Sequence, residues 1–173
     1  MVYMRAEEPA VALDAAVAVT RWLEAMPETV SVKNVADDPQ YRARRIDLLW
    51  TRRAVDGACT EASIRVRGER YGHTGEYHIE AAPGADGATP EAMLATEADY
   101  IYYYFLPRSE LHILPMQQVR GWLREHAAEM GQLRPPTVLD SAEGVEVGRL
   151  VSRDRLLREV GGIRVVQLRP RAA

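Results

Sequence analysis

The sequence predicts an α/β (α+β) domain in which helices pack against a mixed β-sheet, and three observations carry that prediction. Along residues 61–67, Glu61, Ser63, Arg65 and Arg67 alternate strictly with Ala62, Ile64 and Val66. That two-residue period marks a half-buried strand with its polar side chains on one face. Residues 100–106 (YIYYYFL) are apolar and aromatic on both faces, as in a central strand covered from both sides. Val11, Ala15, Ala18, Trp22 and Met26 recur near helical spacing. No internal repeat and no second domain is visible, and helices layered on a sheet bury such elements most economically.

The remaining elements follow in order. Glu7 and Glu8 precede Pro9, placing negative charge and a proline where a first helical turn tolerates them, and the helix should end near Pro27. Val30, Val32 and Val35 suggest a short strand that Asp37-Asp38-Pro39 breaks. Ile46, Leu48 and Trp50 alternate with Asp47 and Thr51 as a strand, and Asp56-Gly57 marks a reversal into the strand 61–67. Tyr77, Ile79 and Ala81 alternate with His78 and Glu80, so hairpin logic predicts three antiparallel strands. Residues 82–90 read as a loop, 111–114 as a further strand, and Pro115 opens a helix that Gly131 should stop. Pro135-Pro136 begins a linker. Residues 147–151 form a strand, Ser152 caps a short helix through Val160, and Gly161-Gly162 turns into a strand over 163–168. The chain thus reads as one domain over 1–173, with 136–173 as a C-terminal α/β extension packed on it.

Composition narrows the function classes. In 173 residues, 47% are hydrophobic and 27% charged, which suits a packed core and excludes a disordered chain. A net charge of −3 argues against a polyanion-binding surface over the whole molecule. Charge is unevenly spread, however. From Arg42 to Arg70 there are eight arginines against four acids, either a local phosphate-binding patch or a solvated surface in a chain whose only lysine is Lys33. Cys59 is the only cysteine, so no intrachain disulfide forms and a reducing compartment is expected. Residues 1–8 lack the pattern of a signal peptide, and the apolar stretch 10–19 is short and interrupted by Asp14. The expectation is a cytoplasmic protein without a membrane partner.

The segments IDLLW (46–50), IRVRGERYGHTGEYHIE (64–80), TEADYIYYYFL (96–106) and LHILP (111–115) occur in an order and spacing similar to the PD-(D/E)xK, or restriction-endonuclease-like, superfamily. More narrowly they resemble an uncharacterised bacterial and phage-type branch. There an Ile-Asp-Leu strand is followed by a Glu-Val-Lys strand, a Thr-Gly turn and a strand ending in Glu. The likeness covers about residues 30–127. It implies a sheet flanked by helices and Mg²⁺-dependent phosphodiester cleavage. Asp and Glu would ligate the cation, and Lys would orient water or stabilise charge. By this resemblance the family's Asp falls on Asp47, the turn on Thr74-Gly75, and the strand-ending Glu on Glu80.

The departure lies at the centre of the motif. Where the family has Glu-Val-Lys, this chain has Arg65-Val66-Arg67. Arg65 cannot ligate a cation, and Arg67 keeps the positive charge but cannot be deprotonated. If a three-residue reversal at 55–57 joins the strands, Asp47 lies opposite Arg65 and the two pair, contributing about 0.2–1 kcal/mol. A two-residue reversal would instead set Asp47 opposite Val66.

Three readings follow. The first is a nuclease-derived, catalytically impaired protein that binds DNA through phosphate contacts from Arg44, Arg45, Arg65, Arg67 and Arg70, with no cofactor. The second is a scaffold or interaction protein, with exposed Trp or Tyr marking a homodimer surface. The third is an active Mg²⁺-dependent endonuclease in which Asp47 works with a relocated carboxylate. Glu80 is the best candidate, ahead of Glu24, while Glu61 lies about 13 Å from Arg65 along the strand. His73, His78, His112 and His126 lack metal-ligand spacing and read as surface or hydrogen-bonded histidines. Cys59 reads as a small buried side chain, the Tyr-rich strand as core, and Gly72-His73-Thr74-Gly75 fits no phosphate-cradling pattern.

Overall fold

The computed structural model describes residues 9–70, 75–80, 95–133, 137–141 and 144–168. Its core is a six-stranded mixed sheet flanked by helices, as the alternation and the buried aromatic run predict. In chain order the elements begin with helix α1 (Pro9–Glu24), strand β1 (Thr29–Asn34), helix α2 (Pro39–Ala43), and strands β2 (Leu48–Arg53), β3 (Cys59–Glu69) and β4 (Glu76–Glu80). They continue through β5 (Tyr100–Phe105), β6 (Glu110–Pro115), α3 (Met116–Leu133), β7 (Thr137–Ser141), β8 (Gly144–Ser152), α4 (Arg153–Glu159) and β9 (Arg164–Gln167).

The main sheet has the order β1-β2-β3-β5-β6-β9, and a second, three-stranded sheet has the order β4-β8-β7. Among the described residues only the β3–β5 pair is parallel; Ile64 aligns with Tyr100 and Arg67 with Tyr103. Helix α1 covers one face, burying Val11, Ala15, Val19 and Leu23 at four-residue spacing. Of these, Ala15, Val19 and Leu23 pack with Leu48, Trp50, Ile64, Val66, Tyr102 and Tyr104. The opposite face carries Ile101, Tyr103, Phe105 and Leu114, which pack with Tyr77 and Ile79 of β4, Val151 of β8, and side chains of α3 and α4.

Three expectations need correction, and one is extended. β4 does not extend an antiparallel meander from β3; it pairs with β8 in the second sheet, Tyr77 opposite Val151. Alternation gives strand character, not the neighbour, and hairpin logic assumed that consecutive strands pair. Asp37-Asp38-Pro39 follows the end of β1 at Asn34, as expected, and also starts a helix. Asp38 accepts from the Gln40 amide at 2.9 Å and Pro39 opens α2, an N-cap followed by proline. Gly131 does not stop α3, which runs to Leu133. A strand, β7, begins at Thr137 where a linker was expected, and Pro135-Pro136 itself lies outside the described residues, as does the loop 82–90. The C-terminal segment is woven into both sheets, since β9 pairs with β6 at the edge of the main one. No helix among the described residues is long and apolar enough to cross a membrane.

Candidate functional site: the Asp47–Arg65 pair

The β2–β3 turn sets the geometry. Ala54 N–H donates to Ala58 O at 2.8 Å and Gly57 N–H to Ala54 O at 2.9 Å, with Gly57 at φ 85°, a conformation that a residue with a Cβ adopts only under strain. The reversal therefore spans three residues, 55–57, and the ladder runs from Arg53↔Cys59 to Leu48↔Ile64. Continued by one step, this register brings Asp47 to Arg65. The Asp47 amide also donates to Ile64 O, at 2.9 Å, tying the residue before β2 to β3.

Both carboxylate oxygens of Asp47 are engaged. Oδ1 accepts from Arg65 Nη1 at 2.8 Å, and Oδ2 accepts from the Val66 backbone N–H at 2.7 Å. The two side chains are only 16% and 18% exposed, which raises the strength of the pair above that of a solvent-exposed one. The position at which the resemblance implies a second metal-binding carboxylate thus holds a guanidinium bonded to the first.

The other predicted residues scatter. Arg67 is buried at 6% exposure, aligned with Tyr103 on the face that the second sheet covers. Arg44 Nε donates to Glu97 Oε2 at 2.7 Å in an exposed pair, which contributes about 0–1 kcal/mol. Arg45 is half-buried in a left-handed conformation (φ 52°), and its carbonyl accepts from Thr96 Oγ1 at 2.7 Å. Arg70 is exposed. Glu80 ends β4 opposite Gly148 of β8, in a different sheet from Asp47's partner strand, and its side chain lies outside the described residues. Glu61 is exposed four positions before Arg65 on β3. Glu24 ends α1, the helix on the face opposite Arg65 and Arg67. Thr74 and His73 lie outside the described residues.

Cys59 is exposed at the first position of β3, contrary to the expected buried side chain, because β3 projects past β5 at that end. His112 and His78 are buried, and His126 is half-buried and stacks on Trp122 at 4.5 Å. Ser152 accepts from the Arg155 amide at 3.3 Å, the expected N-cap. Tyr102, Tyr103 and Tyr104 are core, and every Trp and Tyr among the described residues is buried or half-buried, so none marks an exposed aromatic surface.

One residue escaped the sequence reading. Asp99, just before β5, accepts from both the Ser63 N–H and the Ser63 Oγ–H at 2.7 Å through Oδ2, while its own N–H donates to Ser63 O at 3.0 Å. The only signal for it was an acid directly ahead of the aromatic strand, in TEADY.

These residues do not fit a hard divalent cation. Such an ion needs several oxygen donors, and it would have to displace Arg65 from Asp47 while sitting beside a permanent positive charge. No group of three or more His, Cys, Asp and Glu side chains among the described residues is placed to hold a metal. No family model, curated protein or solved structure matches the chain.

Proposed function

We propose that this chain is a nuclease-derived protein with a restriction-endonuclease-like fold that no longer cleaves and that acts by binding nucleic acid. The observation that carries the reading is the double engagement of Asp47, one oxygen on Arg65 and the other on the Val66 amide. That arrangement gives the motif Asp an ion-pairing and backbone-capping role in place of metal ligation. With Arg67 in the interior and Arg65 held by Asp47, phosphate binding falls to the rim, to Arg44 and Arg70.

Binding is expected to be largely independent of sequence and steeply salt-dependent, and purified protein should leave supercoiled DNA intact with Mg²⁺ or Mn²⁺. Replacing Arg44 and Arg70 with Ala should flatten the slope of log K against log salt by about 0.9 for each phosphate no longer neutralised. Metal-dependent nicking that disappears in Asp47→Asn would overturn the non-cleaving reading and restore the active one.

The scaffold reading draws on a specific observation of its own. Two of the five predicted phosphate-binding arginines are withdrawn, Arg67 by burial and Arg65 by pairing, and a third, Arg44, is neutralised by Glu97. Folded protein that shows no shift of labelled DNA or RNA at low ionic strength decides for that reading.

A further inference from the structure

His112 lies where the two sheets meet. It is 3% exposed on β6, beside Tyr103 of β5 in the ladder, with the Phe105 ring centroid 4.9 Å away. Its Nε2 is 2.7 Å from Glu110 Oε1, and its Nδ1 is 2.6 Å from the hydroxyl of Tyr77, a fully buried residue of β4 in the second sheet. An ionised carboxylate can only accept, so Nε2 carries the ring proton. Nδ1 is then the acceptor, and the Tyr77 hydroxyl donates to it. One continuous hydrogen-bond chain therefore runs from a partly exposed carboxylate, through a buried imidazole, to a phenol of the other sheet. A second polar tie lies alongside, the His78 N–H donating to Tyr103 Oη at 3.2 Å.

We propose that the Glu110–His112–Tyr77 chain is an acid-sensitive latch holding the second sheet against the main one. Adding a proton to Nδ1 removes the acceptor of the Tyr77 bond: the hydroxyl must turn to accept from Nδ1–H, and its own proton loses the partner it has in the closed joint. The charged groups around the ring set the balance. Glu110, on the same strand, favours the imidazolium. Arg153 of α4, whose guanidinium lies 4.6 Å over the Phe105 ring that packs on His112, disfavours it. Among the described residues, Tyr77, Tyr103 and Asp154 are further titratable groups at the joint, and His78 lies next to Tyr77 on β4. Burial is the largest influence and holds the His112 pKa below its ordinary value, ahead of the opposing pull of Glu110.

The sign follows. A histidine whose pKa is lowered in the closed form favours closure fully above its free value of about 6.5, and that contribution is lost as pH falls below it. The latch should weaken by up to about tenfold per pH unit over that interval.

Hydrogen exchange on the full chain tests this. Corrected for intrinsic rates, protection of residues 76–80 should fall between pH 7.5 and 5.5, while that of residues 64–68 in the main sheet holds. His112→Gln, which keeps polar contacts but cannot titrate, should remove the difference. Equal protection ratios at both pH values, or a His112→Gln profile that tracks the wild type, would overturn the proposal. Should that variant not fold, NMR of the wild-type ring decides: His112 protonation and loss of β4 protection must share a midpoint, and separate midpoints refute the latch.

Discussion

Asp47 and Asp99 stand on opposite edges of β3 and perform the same backbone task. Where β2 begins, Asp47 Oδ2 receives the N–H of Val66; where β5 begins, Asp99 Oδ2 receives the N–H of Ser63. Each carboxylate satisfies a donor that a ladder of strand bonds would otherwise reach, and an unsatisfied buried N–H costs about 1–3 kcal/mol. The difference is in the second contact. Asp99 adds a serine hydroxyl on an exposed rim, whereas Asp47 adds a guanidinium in a half-buried site. An acid beside the start of a strand can therefore serve strand termination and ion pairing, without metal chemistry.

The contrast can be broken most strongly at Asp47. Asp47→Ala leaves the Arg65 guanidinium and the Val66 N–H without this carboxylate, and should cost about 3 kcal/mol, read as a lower urea midpoint at unchanged m-value. A loss below about 1 kcal/mol would mean that the pair is no stronger than a surface one. Arg65→Glu comes next. It sets two carboxylates together, and millimolar Mg²⁺ or Mn²⁺ should recover about 1 kcal/mol of the resulting loss, on the order of 3 °C in Tm. If no divalent-specific rise appears, the backbone around Asp47 does not have the spacing of a cation site. Asp99→Ala should cost about 1 kcal/mol, and the same salts should not restore it. Ser63→Ala, which keeps the backbone bond to Asp99, should cost about 0.5 kcal/mol and complete the series. Parity between the Asp47 and Asp99 variants would erase the distinction between the two acids.

Much of this geometry was legible in the residues, and the illegible part has physical causes. The period of residues 61–67 placed Arg65 and Arg67 on one face, and the three-residue reversal was one of the two registers the Asp56-Gly57 turn allowed. Burial of Arg67 was not legible, because a polar face in sequence says nothing about a second layer laid over it. That layer is β4, paired with a strand some seventy residues downstream, and long-range pairing leaves no local trace. Asp99 went unread because strand-capping acids carry no periodic signature. The proposed restriction-endonuclease-like kinship draws on motif order and on the strand context of Asp47.

The sheet order leaves β1 at one margin, with a row of backbone donors and acceptors facing outward and Val30 49% exposed. Such a margin is a template on which another copy could stack strand to strand. Two features blunt it: an irregularity in register between Thr29 and Ser31 that increases local twist, and Lys33, the single lysine of the chain, exposed within β1. An ammonium brought against its own copy across a growing two-chain ribbon repels it. The single lysine of this arginine-rich chain thus lies on the outer strand of its main sheet.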